Sequence, residues 1–292
     1  MKKSDFVLSL TQRLVLLLSI FLICYILTMV LSYLIGRLMT DNIAGALRIS
    51  ALVQDVLAFI VPAVGTAMLV TRRPAELLCL TQKPTVAVLL AVVALAFISV
   101  PAQEAVVYWN YNIHLPESMA SVESLFRQLE ESAAHSIEAI TGDTSIAGLI
   151  LNILVLGIGA GVSEELLFRG CFQRLLTTAG VNRHVAIWTV AFVFSAMHFQ
   201  FFGFVPRMLL GAYFGYLLLW SGSIWVPIAA HALNNTMYTV AEFYRLKYSD
   251  VPDATDNMPE LWPAMTTAAS VVLTAALIYF IYNYCRKHPA QD

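Results

Sequence analysis

The sequence predicts an all-α fold: a polytopic transmembrane helical bundle of about eight membrane helices with both termini cytoplasmic. Three observations carry that expectation. Of the 292 residues, 59% are hydrophobic and 12% charged, with a mean hydropathy of +0.74, whereas a soluble domain would carry roughly a quarter charged residues. Apolar runs recur at close to the ~20 residues a helix needs to cross ~30 Å of hydrocarbon. Basic residues gather at one set of helix ends and acidic residues at the other.

The elements follow in order. Met1, Lys2 and Lys3 lead into an apolar run at about 14–36 that is too long for a signal-peptide core and has no small-residue cleavage site after it, so it reads as an uncleaved first helix. Further spans are expected at about 51–71, 84–102, 146–168, 185–202, 204–220, 222–242 and 263–284. The fifth to seventh nearly abut, with short turns at Phe202–Pro206 and Ser221–Ser223 between them. Neither end carries a lipidation box.

Orientation comes from the charges. Lys2, Lys3 and Arg13 precede the first helix, and Arg72, Arg73 and Lys83 fall between the second and third. Arg169, Arg174 and Arg183 fall between the fourth and fifth, and Arg286 and Lys287 follow the last. These define the cytoplasmic side. The opposite side takes the stretch Gln103–Thr144, with seven acidic residues against Arg127; Arg37, Arg48, Arg207, Arg245 and Lys247 run against the trend. Apolar spacing over Val122–Glu131 predicts a short surface helix in the outer stretch, and Pro74–Leu80 is expected to lie in the interface.

The chain divides into N-terminal helices and an acidic outer loop (1–145), a core (146–240) and a loop with a last helix (241–292). Cys24, Cys79, Cys171 and Cys285 show no paired or metal-type spacing, and no disulfide is expected. A net charge of −2 makes no case for a nucleic-acid partner.

Ionisable side chains inside a bilayer are costly and face cavities or partners. Three clusters break the apolar rule. In the first, Glu165 and Arg169 are four apart and can pair on one helix face, which turns Glu164 about 100° away; the alternative is that all three snorkel to the surface. The second is Phe194 with His198, where a lone histidine also suits a hydrogen-bonded core position. The third is His231 with Asn235, one helical turn apart, beside Asn234; asparagine in a membrane helix also serves as interhelical glue.

Together these residues supply a water-activating set. Glu164 can be the general base, His198 and His231 can orient water or bind a metal, and Asn235 can donate to an oxyanion. Gly157, Gly159 and Gly161, and the pair Gly211 and Gly215, favour close helix approach. Depth is the difficulty. With the helix ends at Ile146 and Val185, Glu164 lies ~27 Å from the outer end of its helix and His198 ~20 Å from the inner end of its own. Their depths would then differ by more than ~10 Å in a ~30 Å slab. Ser163, Ser195 and Cys171 are possible nucleophiles by type alone; Ser163 reads as incidental to its motif, Ser195 and Cys171 as packing or surface residues.

The order E-E-x-x-x-R (Glu164, Glu165, Arg169), F-x-x-x-H (Phe194, His198) and H-x-x-x-N (His231, Asn235) resembles the CAAX prenyl protease and bacteriocin-processing family, also called CPBP or Abi, over about residues 146–240. The resemblance implies an intramembrane endopeptidase acting on membrane-associated peptides or proteins. In it Glu164 would activate water with help from His198, His231 and Asn235 would stabilise the oxyanion, and Glu165, Arg169 and Phe194 would support the site. That family is described both as metallo- and as glutamate-dependent, so a divalent metal such as zinc at Glu164, His198 and His231 stays open, and no other cofactor is expected. The expected setting is a bacterial cytoplasmic (inner) membrane, with the lipid bilayer as partner. The competing readings are a non-catalytic immunity or scaffold protein and a proton or metal transporter, although no inverted repeat supports the latter.

Overall fold

The computed structural model describes residues 8–248 and 264–288; Lys2 and Lys3, the stretch 249–263 and the last four residues lie outside them. Among the described residues there is no strand. Helix α1 (Leu10–Leu38) opens on a reciprocal cap, in which Gln12 N donates to Ser9 Oγ and Ser9 N to Gln12 Oε1, satisfying amides the helix itself cannot. Helix α2 (Ile43–Val70) is capped by Asn42 and passes through a π-helical stretch at Asp55–Ile60. Helices α3 (Val86–Ile98) and α4 (Val100–Tyr111) meet at a 51° bend, next to Pro101, whose missing N–H releases the preceding turn.

Next come α5 (Ala120–Thr141), α6 (Ile146–Thr178) and α7 (Arg183–Ala196). The last three are α8 (Phe204–Ser221), α9 (Trp225–Lys247) and α10 (Ala264–Lys287). Helix α8 ends on Gly222 at φ 68°, a left-handed position that glycine takes without strain.

Each of the eight expected spans has a helix, and six of the eight qualify as spans by length and composition. Five helical stretches are long and apolar enough to cross a membrane: α1, α2, α6, α8 with the turn before it, and α10; the bent pair α3–α4 makes a sixth. The chain is thus an integral, multi-pass membrane protein. Helix α7 has only 14 residues. Helix α9 has 23, but His231, Asn234, Asn235 and Glu242 make it polar.

Three further expectations need correction. Helix α6 runs to Thr178 rather than stopping at 168, because Arg169 is neutralised inside the protein and does not end the helix. Arg169 and Arg174 are therefore helical, not loop charges, and drop out of the orientation argument. Pro74–Leu77 is a single turn rather than a helix over Pro74–Leu80. Leu77 and Leu78 are buried, and the strap's backbone carbonyls accept from Arg174 Nε (Leu77), Trp225 Nε1 (Leu80) and Ser223 Oγ (Gln82). The outer surface helix is longer than expected, at 22 residues.

One apolar core joins Leu17 of α1, Phe59 of α2, Leu77 of the strap, Phe168 of α6, Phe194 of α7 and Ile228 of α9. A second packs α3, α8, α9 and α10 around Val92, Phe214, Val226 and Ile281. All four cysteines are unpaired.

Candidate active site

Helix α6 is π-helical at Ile153–Gly159 and again at Leu166–Gln173, with a short α-helical stretch, Ala160–Glu165, between them. Such wide turns displace the regular backbone ladder and recur at functional sites. One carbonyl of the first π stretch, Leu156 O, accepts from Asn235 Nδ2 at 3.2 Å. Close by, α6 and α9 meet backbone to backbone: a Cβ on Gly161 would stand 2.8 Å from Ala232 N and 2.9 Å from its Cα. That approach, which the glycines lead one to expect, sets His231 against both glutamates.

His231 lies between the two carboxylates. Its Nδ1 donates to Glu165 Oε1 at 2.8 Å, and its Nε2 is 3.8 Å from Glu164 Oε2. Glu165 Oε1 also accepts from Arg169 Nη1 at 2.6 Å, and Arg169 Nη2 donates to Gly211 O at 2.9 Å. Glu165 and Arg169 are fully buried, so the pairing read from their spacing is an internal ion pair and not a surface one. The Arg169 guanidinium also rests on Phe194, 4.5 Å from the ring centre, a favourable cation–π placement. Phe214 stacks on His231 with ring centres 4.8 Å apart.

His198 follows the end of α7. Its Nδ1 donates to Phe194 O at 2.8 Å, which leaves Nε2 as the lone-pair nitrogen of the neutral ring. Phe194 touches His198 at 5.1 Å and His231 at 5.9 Å between ring centres, so it is the wall the two histidines share. The depth difficulty disappears with the corrected helix bounds. Glu164 stands near the middle of a 33-residue α6, and His198 stands at the end of a helix too short to reach the far surface.

The structure thus joins Glu164, Glu165, Arg169, Phe194, His198 and His231, while Asn235 stands one turn beyond His231 and ties α9 to α6. Asn234 instead lines an apolar cavity of about 240 Å³ with Leu95, Phe214 and Thr274. Among the described residues, no three His, Cys, Asp or Glu side chains are grouped as metal ligands would be, and His231 Nδ1 is already given to Glu165. That leaves His231 Nε2 free beside Glu164, an arrangement that metal-bound histidines also use, and no step is derived through a metal.

Three residues of the site were not singled out from the sequence. Asp55 is buried and accepts from Ser163 Oγ at 2.7 Å. Ser163 is therefore a tie between α2 and α6, not an incidental residue. Phe214 carries no sequence signal beyond being aromatic. Arg207, which looked like a misplaced loop charge, is near enough to Glu164 and His198 for its charge to act on both.

YpbD, an uncharacterized protein of Bacillus subtilis (strain 168), is 27% identical to this chain over 93 residues, which cover 30% of this chain and 44% of that protein. The match thus spans less than half of that relative's length. No solved structure matches the chain. Residues 146–237, which hold every motif residue of this site, match the family model "Type II CAAX prenyl endopeptidase Rce1-like", consistent with the CPBP (Abi) resemblance of the motifs.

Proposed function

We propose that this protein is an intramembrane endopeptidase that hydrolyses peptide bonds of membrane-associated proteins or peptides with a water activated by Glu164. The observation that carries the reading is the Glu164 carboxylate facing His231 Nε2 across 3.8 Å, with Glu165 and Arg169 buried behind. Glu164 takes a proton from water, and the water oxygen attacks the scissile carbonyl. His198, held through Nδ1 and open at Nε2, steers the water. His231, whose Nδ1 is fixed on Glu165, holds Nε2 toward Glu164, and the second N–H of the Asn235 amide serves the oxyanion. Glu164 then returns the proton to the leaving amine. Glu165, Arg169 and Phe194 orient the histidines and do not touch the substrate. The reading sets the reaction on the cytoplasmic side of a bacterial inner membrane, with both termini cytoplasmic.

The test uses purified protein in lipid vesicles with a randomised library of N-terminally acylated peptides, followed by mass spectrometry. Glu164→Gln is expected to lower cleavage by about 10²–10⁴-fold, the usual worth of a general base. A strong chelator decides the metal question: cleavage that survives it is metal-independent, and loss with chelator and recovery with zinc makes it metal-dependent. Equal cleavage by the wild type and Glu164→Gln would remove Glu164 from the chemistry and favour the scaffold reading.

A further inference from the structure

Arg207 is a cation at the site that the reaction above does not use. It sits in the first turn of α8, where the positive end of the helix dipole disfavours it. Its Nη2 donates to Gln200 Oε1 at 2.8 Å, and Gln200 Nε2 donates in turn to Glu130 Oε1 of α5 at 3.0 Å. The guanidinium lies on the backbone of Gly203, where an added Cβ would stand 3.0 Å from Nη2 and 3.3 Å from Nη1. Any other residue at 203 would push the fork away.

Nη1 is shielded from solvent and has no hydrogen-bond partner. An unmade hydrogen bond on a buried cation is more costly than on a neutral group. Gln200 fixes the fork without neutralising it, and Glu130 stands one hydrogen bond further off. The result is an oriented cation with one unpaired N–H edge, tied through Gln200 to the turn that carries His198. A planar guanidinium suits a carboxylate in geometry and charge. A carboxylate entering unaided would be repelled by Glu164; beside Arg207 that repulsion is offset.

We propose that Arg207 is a specificity-determining residue whose Nη1 edge binds a substrate carboxylate close to the scissile bond, either the C-terminal carboxylate or an Asp or Glu side chain. The inference rests on the peptidase reading of the Glu164 site and adds a residue that lies in none of the three motifs.

The test separates binding from hydrolysis. The acylated peptide library is made in three sets: free C-terminal carboxylates, C-terminal amides, and amides with one fixed aspartate. Capture by full-length Glu164→Gln protein in lipid vesicles is compared across the sets. One of the two carboxylate-bearing sets is expected to be captured about tenfold better than the plain amides, and the winning set identifies the source of the anion. Adding Arg207→Ala is expected to abolish that preference. Arg207→Lys keeps the charge without the fork and is expected to lose most of the preference, which decides the matter if the alanine variant does not fold. Equal capture of all three sets, or a preference that survives both substitutions, overturns the proposal. In wild-type protein the same preference is expected in KM and not in kcat. Selective capture without any cleavage would sink the peptidase reading alone, and cleavage without selectivity would sink the role of Arg207 alone.

Discussion

Arg169 reaches Glu165 with one arm of its fork and Gly211 O with the other, while its face rests on Phe194. None of it meets solvent. Removing one member of such a pair strands the other charge in a medium that cannot solvate it, at a cost of about 3–5 kcal/mol. Arg169→Met is therefore expected to lower the thermal unfolding temperature in detergent sharply, while the double change Arg169→Met with Glu165→Gln recovers part of the loss. An unchanged temperature in the single variant would mean that Glu165 is neutral or otherwise satisfied. Spacing alone revealed the Glu165–Arg169 pair, because both lie on one helix. It could not reveal that His231 completes the trio, since a partner on another helix leaves no mark at a fixed interval in the chain.

At the scale of elements, α5 shows how far periodicity reaches. Its apolar spacing announced a short surface helix, but its docking was hidden: Phe126 stacks on Phe201 at 5.0 Å, and Arg127 lies 4.0 Å over Phe202, directly after the His198 turn. Its start is tied down by Glu123, which accepts from Leu115 N at 2.7 Å and pairs with His114 and Arg127. The Leu115 amide first, then His114 and Arg127, hold the Glu123 carboxyl below its ordinary value of 4.5. A lowered carboxyl stabilises the fold above its unfolded value and loses that contribution as pH falls through its folded one. Protection from hydrogen exchange, relative to the intrinsic rate at each pH, is thus expected to fall at the start of α5 below pH 4.5, and Glu123→Gln to remove that dependence. A flat profile in the wild type would show that the carboxylate does not hold the turn.

For the whole molecule, the motifs fall within 146–237 but the packing does not. Leu17, Phe59 and Leu77 share a core with Phe168 and Phe194, and Asp55 is tied to Ser163 beside Glu164. A fragment of residues 146–248 expressed alone is expected to aggregate in detergent, and co-expression with residues 1–145 to restore a monodisperse complex. A stable, monodisperse fragment would refute the shared core. Composition and run length made the helical bundle legible, and three motifs made most of the site so. Helix lengths were less legible: Arg169 looks like a terminus until its partner is known.

The shortness of α7 has a consequence for the surrounding lipid. Its 14 residues rise only about 21 Å, some 9 Å less than an average hydrocarbon core, while Val185, Trp188 and Phe192 face outward. Set across a bilayer, it would make the lipid beside it compress, or headgroups and water sink toward His198. A transmembrane substrate drifting into that dent would meet water where it had met only acyl chains. Its backbone could then unwind there with hydrogen-bond partners at hand, which a full-thickness bilayer denies it.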